Sequence, residues 1–136
     1  MLDTDLNARL VLEARKAREQ AYAPYSGEFK VGAAVMAEGG EIFSGCNVEN
    51  ASFGATMCAE RVAVFKAIAA GHRRIQAVAV IADTTDPIPP CGMCRQVIAE
   101  FGSDAEVIMA NVTGDSRTSN MRDLLPSVFH FRRRGQ

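Results

Sequence analysis

The stretch Ile75-Gln76-Ala77-Val78-Ala79-Val80-Ile81-Ala82 has one polar residue in eight. An apolar run of this length, rich in β-branched residues, reads as a strand covered on both faces. The segments beside it follow a different period. Residues 58–70 read as a helix with Cys58, Val62, Phe65 and Ala69 along one face and Gly71 ending it. Residues 91–101 read as a second helix closed by Gly102, and 106–110 as a further strand. Helix, strand, helix and strand in that order imply a sheet with helices on its faces, an α/β fold.

The remaining segments fit this frame. Leu6, Leu10, Ala14, Ala17 and Ala21 recur at helical spacing, so residues 5–21 read as an amphipathic helix, with Asp3 or Thr4 as its cap and Pro24 beyond its end. Residues 29–35 and 41–46 read as a hairpin turning at Gly39-Gly40, and Gly32 inside a strand implies close approach by another backbone or a ligand. Residues 47–57 and the proline-rich 83–90 read as loops, Gly114 as the start of a turn, and 121–125 as a short helical piece. With 136 residues and no repeat or linker, the expectation is one domain, residues 1–136.

Charge and composition exclude several functions. A net charge of −1 offers no broad grip on nucleic acid, and Arg132 to Arg134 read as a solvated tail. No run of about 18 apolar residues predicts a membrane span. The start, Met1-Leu2-Asp3-Thr4-Asp5, lacks the basic-then-apolar pattern of a secretory signal, so the expected compartment is the cytoplasm. There, four cysteines point to metal or redox chemistry rather than disulfides.

Three of those cysteines lie in Cys58-Ala59-Glu60 and Pro90-Cys91-Gly92-Met93-Cys94, each where a loop enters a predicted helix. Helix starts present unpaired N–H groups and partial positive charge, which favours thiolate. Three thiolates fill three corners of a zinc tetrahedron and leave one for water, the pattern of a catalytic site. Such a water needs a proton acceptor that does not ligate the metal, and Glu60 is the candidate. The Cys-x-Glu and Pro-Cys-x-x-Cys pair matches the general pattern described for zinc deaminases. Two other readings stay open: a thiol oxidoreductase using Cys91 and Cys94, and a non-catalytic zinc module with Cys46 as fourth ligand. Otherwise Cys46 reads as structural, and His72 and His130 as surface or packing residues.

Taken together, the chain resembles the small homotetrameric class of cytidine deaminases. The resemblance rests on Ala23-Pro24-Tyr25-Ser26, Phe29-Lys30-Val31-Gly32-Ala33-Ala34, Gly45-Cys46-Asn47-Val48-Glu49-Asn50-Ala51-Ser52, Cys58-Ala59-Glu60-Arg61, Pro90-Cys91-Gly92-Met93-Cys94-Arg95-Gln96 and Leu124-Leu125-Pro126-Ser127-Val128-Phe129. It implies a three-layer α/β/α fold with a mixed sheet of about five strands. It also implies one Zn²⁺ per subunit on Cys58, Cys91 and Cys94, and hydrolytic deamination of cytidine and 2′-deoxycytidine in pyrimidine salvage.

Further site residues follow from the resemblance. Asn47 and Glu49 are implied to bind the ribose 3′-hydroxyl, Phe29 to pack on the pyrimidine, and backbone near Ala59 and Glu60 to read the base edge. Arg61 resembles the arginine that hydrogen-bonds the zinc thiolates. Ala51, Phe53 and Phe129 are implied to reach a neighbouring subunit's nucleoside in a homotetramer. Two features depart from the pattern: Gly27-Glu28 stands before Phe29 where relatives usually have one residue, and Phe53 stands where Tyr is common. A deaminase for an antibiotic of the blasticidin S type is the alternative within the class.

Overall fold

A computed structural model describes residues 4–135. In chain order it contains α1 (Thr4–Arg18), β1 (Val31–Ala37), β2 (Ile42–Cys46), a 3-10 turn at Phe53–Ala55, α2 (Ala59–Ala69), β3 (Ile75–Ala82), α3 (Gly92–Phe101), β4 (Glu106–Asn111), β5 (Ser116–Asn120) and α4 (Met121–Leu124). The five strands form one mixed sheet in the order β2-β1-β3-β4-β5. β3 pairs parallel with β4, and the other neighbours pair antiparallel. No helix among the described residues is long and apolar enough to cross a membrane. Asp3, one of the two expected caps of α1, lies outside the described residues.

The central strand shows why its sequence is apolar throughout. Val78, Val80 and Ala82 join the core under α2 and α3, while Ala77, Ala79 and Ile81 join the core under α1. Alternate residues of a strand point to opposite faces, so a strand between two helical layers needs apolar residues at both parities. Each large aliphatic side chain buried this way, such as Ile81 or Ile98, contributes about 1.5–3 kcal/mol. The α/β/α layering and the five mixed strands agree with the expected fold.

Close approach of backbone sets the spacing of the layers. A Cβ on Gly32 would sit 2.0 Å from the Ala14 carbonyl oxygen of α1, so the backbone contact expected at Gly32 is with this helix. On the other face, a Cβ on Gly45 would lie 2.7 Å from Ala63 N and 2.8 Å from Ala59 O. That second contact corrects the expected face of α2. Ala59, Glu60, Ala63, Val64 and Ala67 are buried, whereas Phe65 and Ala69 face outward. The helix lays its small-residue stripe against β2 because only small side chains allow so short a separation.

Other differences are smaller. α1 stops at Arg18 rather than near Ala21, and β1 begins at Val31 rather than at Phe29. β5 was not foreseen. Its sequence, Ser116-Arg117-Thr118-Ser119-Asn120, is entirely polar because it is an edge strand whose place is set by pairing with β4.

Candidate active site

β2 and β3 both run antiparallel to β1, so they point the same way. The helices that follow them, α2 and α3, therefore begin at the same end of the sheet. Cys58 and Cys91 are the residues capping these two helix starts, each in extended backbone (φ −74°, ψ 152° and φ −65°, ψ 169°). Their carbonyls accept the first helical hydrogen bonds, from Val62 N at 3.2 Å and Arg95 N at 2.9 Å. Cys94 lies in the first turn of α3. Two loops that share no sequence period thus deliver three thiols to one point.

The Sγ atoms of Cys58, Cys91 and Cys94 all lie within 4.8 Å of one another, the one cluster of three or more metal-ligating side chains among the described residues. Cys58 and Cys91 Sγ are 3.8 Å apart, and Cys91 and Cys94 Sγ 3.3 Å. Sulfurs on a tetrahedral zinc at 2.3 Å stand roughly 3.8 Å apart, so the donor set fits that ion. Cys46 is not in the cluster, and all four cysteines are free. The fourth thiol required by a closed zinc module is therefore elsewhere, and Cys91 and Cys94 share their site with a third thiol that a redox pair does not use.

Charge around the thiols is arranged to stabilise an anion. Hydrogen bonding with Cys94, and then with Arg61 and Cys91, brings the Cys58 thiol down to about 5, and sharing of that proton pushes Cys94 up. Arg61 Nη2 donates to Cys58 Sγ at 3.5 Å, one turn along α2. The arginine is half-buried rather than solvated, and its Nε is buried without a hydrogen-bond partner.

Glu60 is 5% exposed, and burial pushes its carboxyl up to about 7, with the negative Cys58 adding to the effect and Arg61 opposing it. It lines a cavity of about 230 Å³ together with Cys58, Ala59 and Cys91. Phe29, Val31 and Asn47 form another part of the wall, from the hairpin and its flanks. Thr56, Met57, Val80, Ile88 and Pro89 complete it, and these five had no signal in the sequence, since four stand on loops without a period. A larger groove of about 480 Å³ between α1 and the β4–β5 edge contains no such thiol cluster. Chemistry rather than size therefore marks the site.

At Thr56 the thiol cavity adjoins a second one of about 320 Å³, lined also by Tyr25, Ser26, Glu49 and Phe53. Glu49 Oε1 accepts from Tyr25 N at 2.8 Å and Ser26 N at 3.1 Å. The Ser26 hydroxyl, followed by these two N–H groups, holds the carboxyl below its usual range. Asn47 is buried, and its amide is engaged at both ends: Oδ1 accepts from Val31 N and Nδ2 donates to Phe29 O, each at 2.8 Å. Of the residues expected to reach a neighbouring subunit, Ala51 is exposed, Phe53 is 74% exposed with its edge near Tyr25, and Phe129 is 68% exposed. None of the three lines the thiol cavity. His72 pairs with Glu41 at 2.8 Å and packs on Phe43, away from these cavities.

Residues 5–111 match the model of the cytidine and deoxycytidylate deaminase zinc-binding region. The chain is 52% identical to a cytidine deaminase of Sporosarcina psychrophila over 122 residues, covering 89% of each protein. It is 50% identical to that of Halalkalibacterium halodurans, over 88% of this chain and 91% of the relative. The crystal structure of the cytidine deaminase from Burkholderia pseudomallei superposes with a TM-score of 0.86 at 52% identity, covering 90% of this chain and 98% of that one. The enzyme from Mycobacterium tuberculosis follows with a TM-score of 0.79 at 38% identity, over 95% and 100%. With this sheet, this trio of thiols and matches over most of its length, the chain belongs to the cytidine and deoxycytidylate deaminase family.

Proposed function

We propose that this protein deaminates cytidine and 2′-deoxycytidine hydrolytically, giving the uridine nucleosides and ammonia, with the whole chain acting as one catalytic domain. The observation that carries this reading is a metal-ligating thiol trio beside a buried, non-ligating carboxyl in one cavity. Cys58, Cys91 and Cys94 would hold Zn²⁺, which when bound supplies a Lewis acid that brings the pKa of a water toward neutrality.

The protein's own groups then handle the protons. Glu60, whose carboxyl is poised at about 7 by burial, takes a proton from the attacking water and delivers it to N3 of the base as the water oxygen bonds to C4. It carries the second proton to the amine as the C4–N bond breaks and ammonia leaves. Backbone at Ala59 and Glu60 reads the base edge, and Phe29 packs on the ring. The free valences of Glu49 and Asn47 serve the ribose: a carboxylate accepts from a hydroxyl, and one N–H of the Asn47 amide remains to donate. Arg61 offsets the negative charge on the thiolates.

The lining favours a nucleoside over a nucleotide. Among the described residues no Lys, Arg or His lines the thiol cavity or the adjoining one, and Glu49 presents a carboxylate in the latter. A phosphate would meet no cation and one repelling charge. Exposed Ala51, Phe53 and Phe129 support the reading that a homotetramer completes each site from a neighbouring subunit. A place in cytoplasmic pyrimidine salvage accords with that substrate.

Product analysis with cytidine, deoxycytidine, deoxycytidine monophosphate and blasticidin S, side by side, tests the assignment. Turnover of the two nucleosides is expected, with little on the other two. Preferential turnover of the monophosphate or the antibiotic would reassign the substrate. Light scattering tests the tetramer.

A further inference from the structure

Phe29 stands two residues before β1 begins, so no strand pairing holds it. Its backbone is instead held by two side chains: Ser26 Oγ accepts from Phe29 N at 3.2 Å, and Asn47 Nδ2 donates to Phe29 O at 2.8 Å. Asn47 is itself fixed, by Oδ1 on Val31 N at 2.8 Å and by its own N–H on Val31 O at 3.2 Å. The chain enters this clip through Gly27 and Glu28, both at positive φ (73° and 65°), a conformation that costs a residue with a side chain about 1 kcal/mol or more. Glu28 thus holds a backbone shape it does not prefer, fixed on one side by its own N–H on Ala23 O at 2.9 Å and on the other by the Ser26 and Asn47 hydrogen bonds to Phe29.

We infer that Asn47 acts in the reaction through Phe29, as a positioning residue that sets the height of the aromatic ring over the cavity, with Ser26 as the second half of the clip. The inference rests on the proposed packing of the base against Phe29. It is a role beyond the proposed ribose contact of the remaining amide hydrogen, since the amide oxygen and the other amide hydrogen are committed to backbone on either side of Lys30. Asn47→Asp retains the acceptor for Val31 N but sets an oxygen against the Phe29 carbonyl. The ring then loses its fixed position, and misplacement on the ångström scale costs about 10²-fold in rate.

The test is a double-mutant cycle in kcat/KM, with zinc content measured for every variant. Asn47→Asp, Phe29→Leu and their combination are assayed with cytidine and with 2′,3′-dideoxycytidine, which lacks the 3′-hydroxyl. The expected result is a loss for Asn47→Asp on both substrates and, on the dideoxy substrate, where the 3′-hydroxyl contact is absent, a double variant no slower than the slower single one, zinc remaining bound. A substitution that merely weakened the fold would give the same loss with or without Phe29. Should Asn47→Asp not yield folded protein, Ser26→Ala is put through the same cycle. Additive losses on the dideoxy substrate, or an Asn47→Asp loss that vanishes on it, would overturn the inference while leaving the base-packing reading intact. An unimpaired Phe29→Leu would remove that reading itself.

Discussion

At the thiol end of the cavity, Cys58 and Cys91 cap, and Glu60 and Cys94 lie in the first turns of, two helices packed on the sheet. At the other end, Phe29 and Asn47, with Glu49 in the adjoining cavity, stand on segments outside the strands and are held by hydrogen bonds from side chain to backbone. The first arrangement fixes donor atoms through regular structure, and displacing one requires moving a helix. The second fixes atoms one hydrogen bond at a time. The bond-making chemistry proposed for the first group, which tolerates little error in position, falls on the regular elements, while the recognition proposed for the second falls on segments that can change by single substitutions.

Perturbing each end should produce effects of different size. The largest is expected from a strong zinc chelator: cytidine turnover falls to the uncatalysed rate and returns when zinc is restored. Activity surviving verified metal removal would break the comparison at its base. Glu60→Gln comes next. Loss of the proposed proton carrier is expected to cost about 10³-fold in kcat with zinc still bound. Because the amide is neutral and nearly isosteric with a carboxyl whose pKa burial has already raised, the melting temperature should not fall. A large fall would assign Glu60 to folding instead.

Arg61→Gln removes a donor to Cys58 Sγ, and zinc affinity, read by competition with a colorimetric chelator, is expected to weaken by about 10–100-fold. Unchanged affinity would mean that the two helix starts suffice to offset the thiolate charge. The smallest effect is expected at the end proposed for recognition. Glu49→Gln weakens an acceptor and should raise KM for cytidine by about tenfold with kcat little changed. A comparable drop in kcat would show that the two ends are mechanically joined.

How much of this could be read beforehand depended on whether the cause was local. The β3 run announces itself because both of its faces are buried, and the thiols announce themselves because metal geometry restricts spacing at helix starts. Glu60 is legible for the same reason, as the acid beside a cysteine that opens a helix. The inward face of α2 was not legible: by apolar period Phe65 belongs inside, yet the near-contact with Gly45 admits only alanine-sized groups, and Phe65 is 44% exposed. β5 was hidden because an edge strand needs no apolar residue. Asn47 carried a ribose-binding expectation through resemblance alone; its hold on Phe29 spans 18 residues and depends on how the hairpin folds back.

The contact at Gly32 has a bearing on how such a protein can change over generations. With the Ala14 carbonyl already where a first side-chain carbon would go, no residue there can grow, and α1 cannot drift without lifting off the sheet. At this contact the spacing of helix and sheet is fixed, which leaves the segments around residues 26–29 and 47–57, outside the long helices and the strands, as places where substitutions can accumulate without moving it.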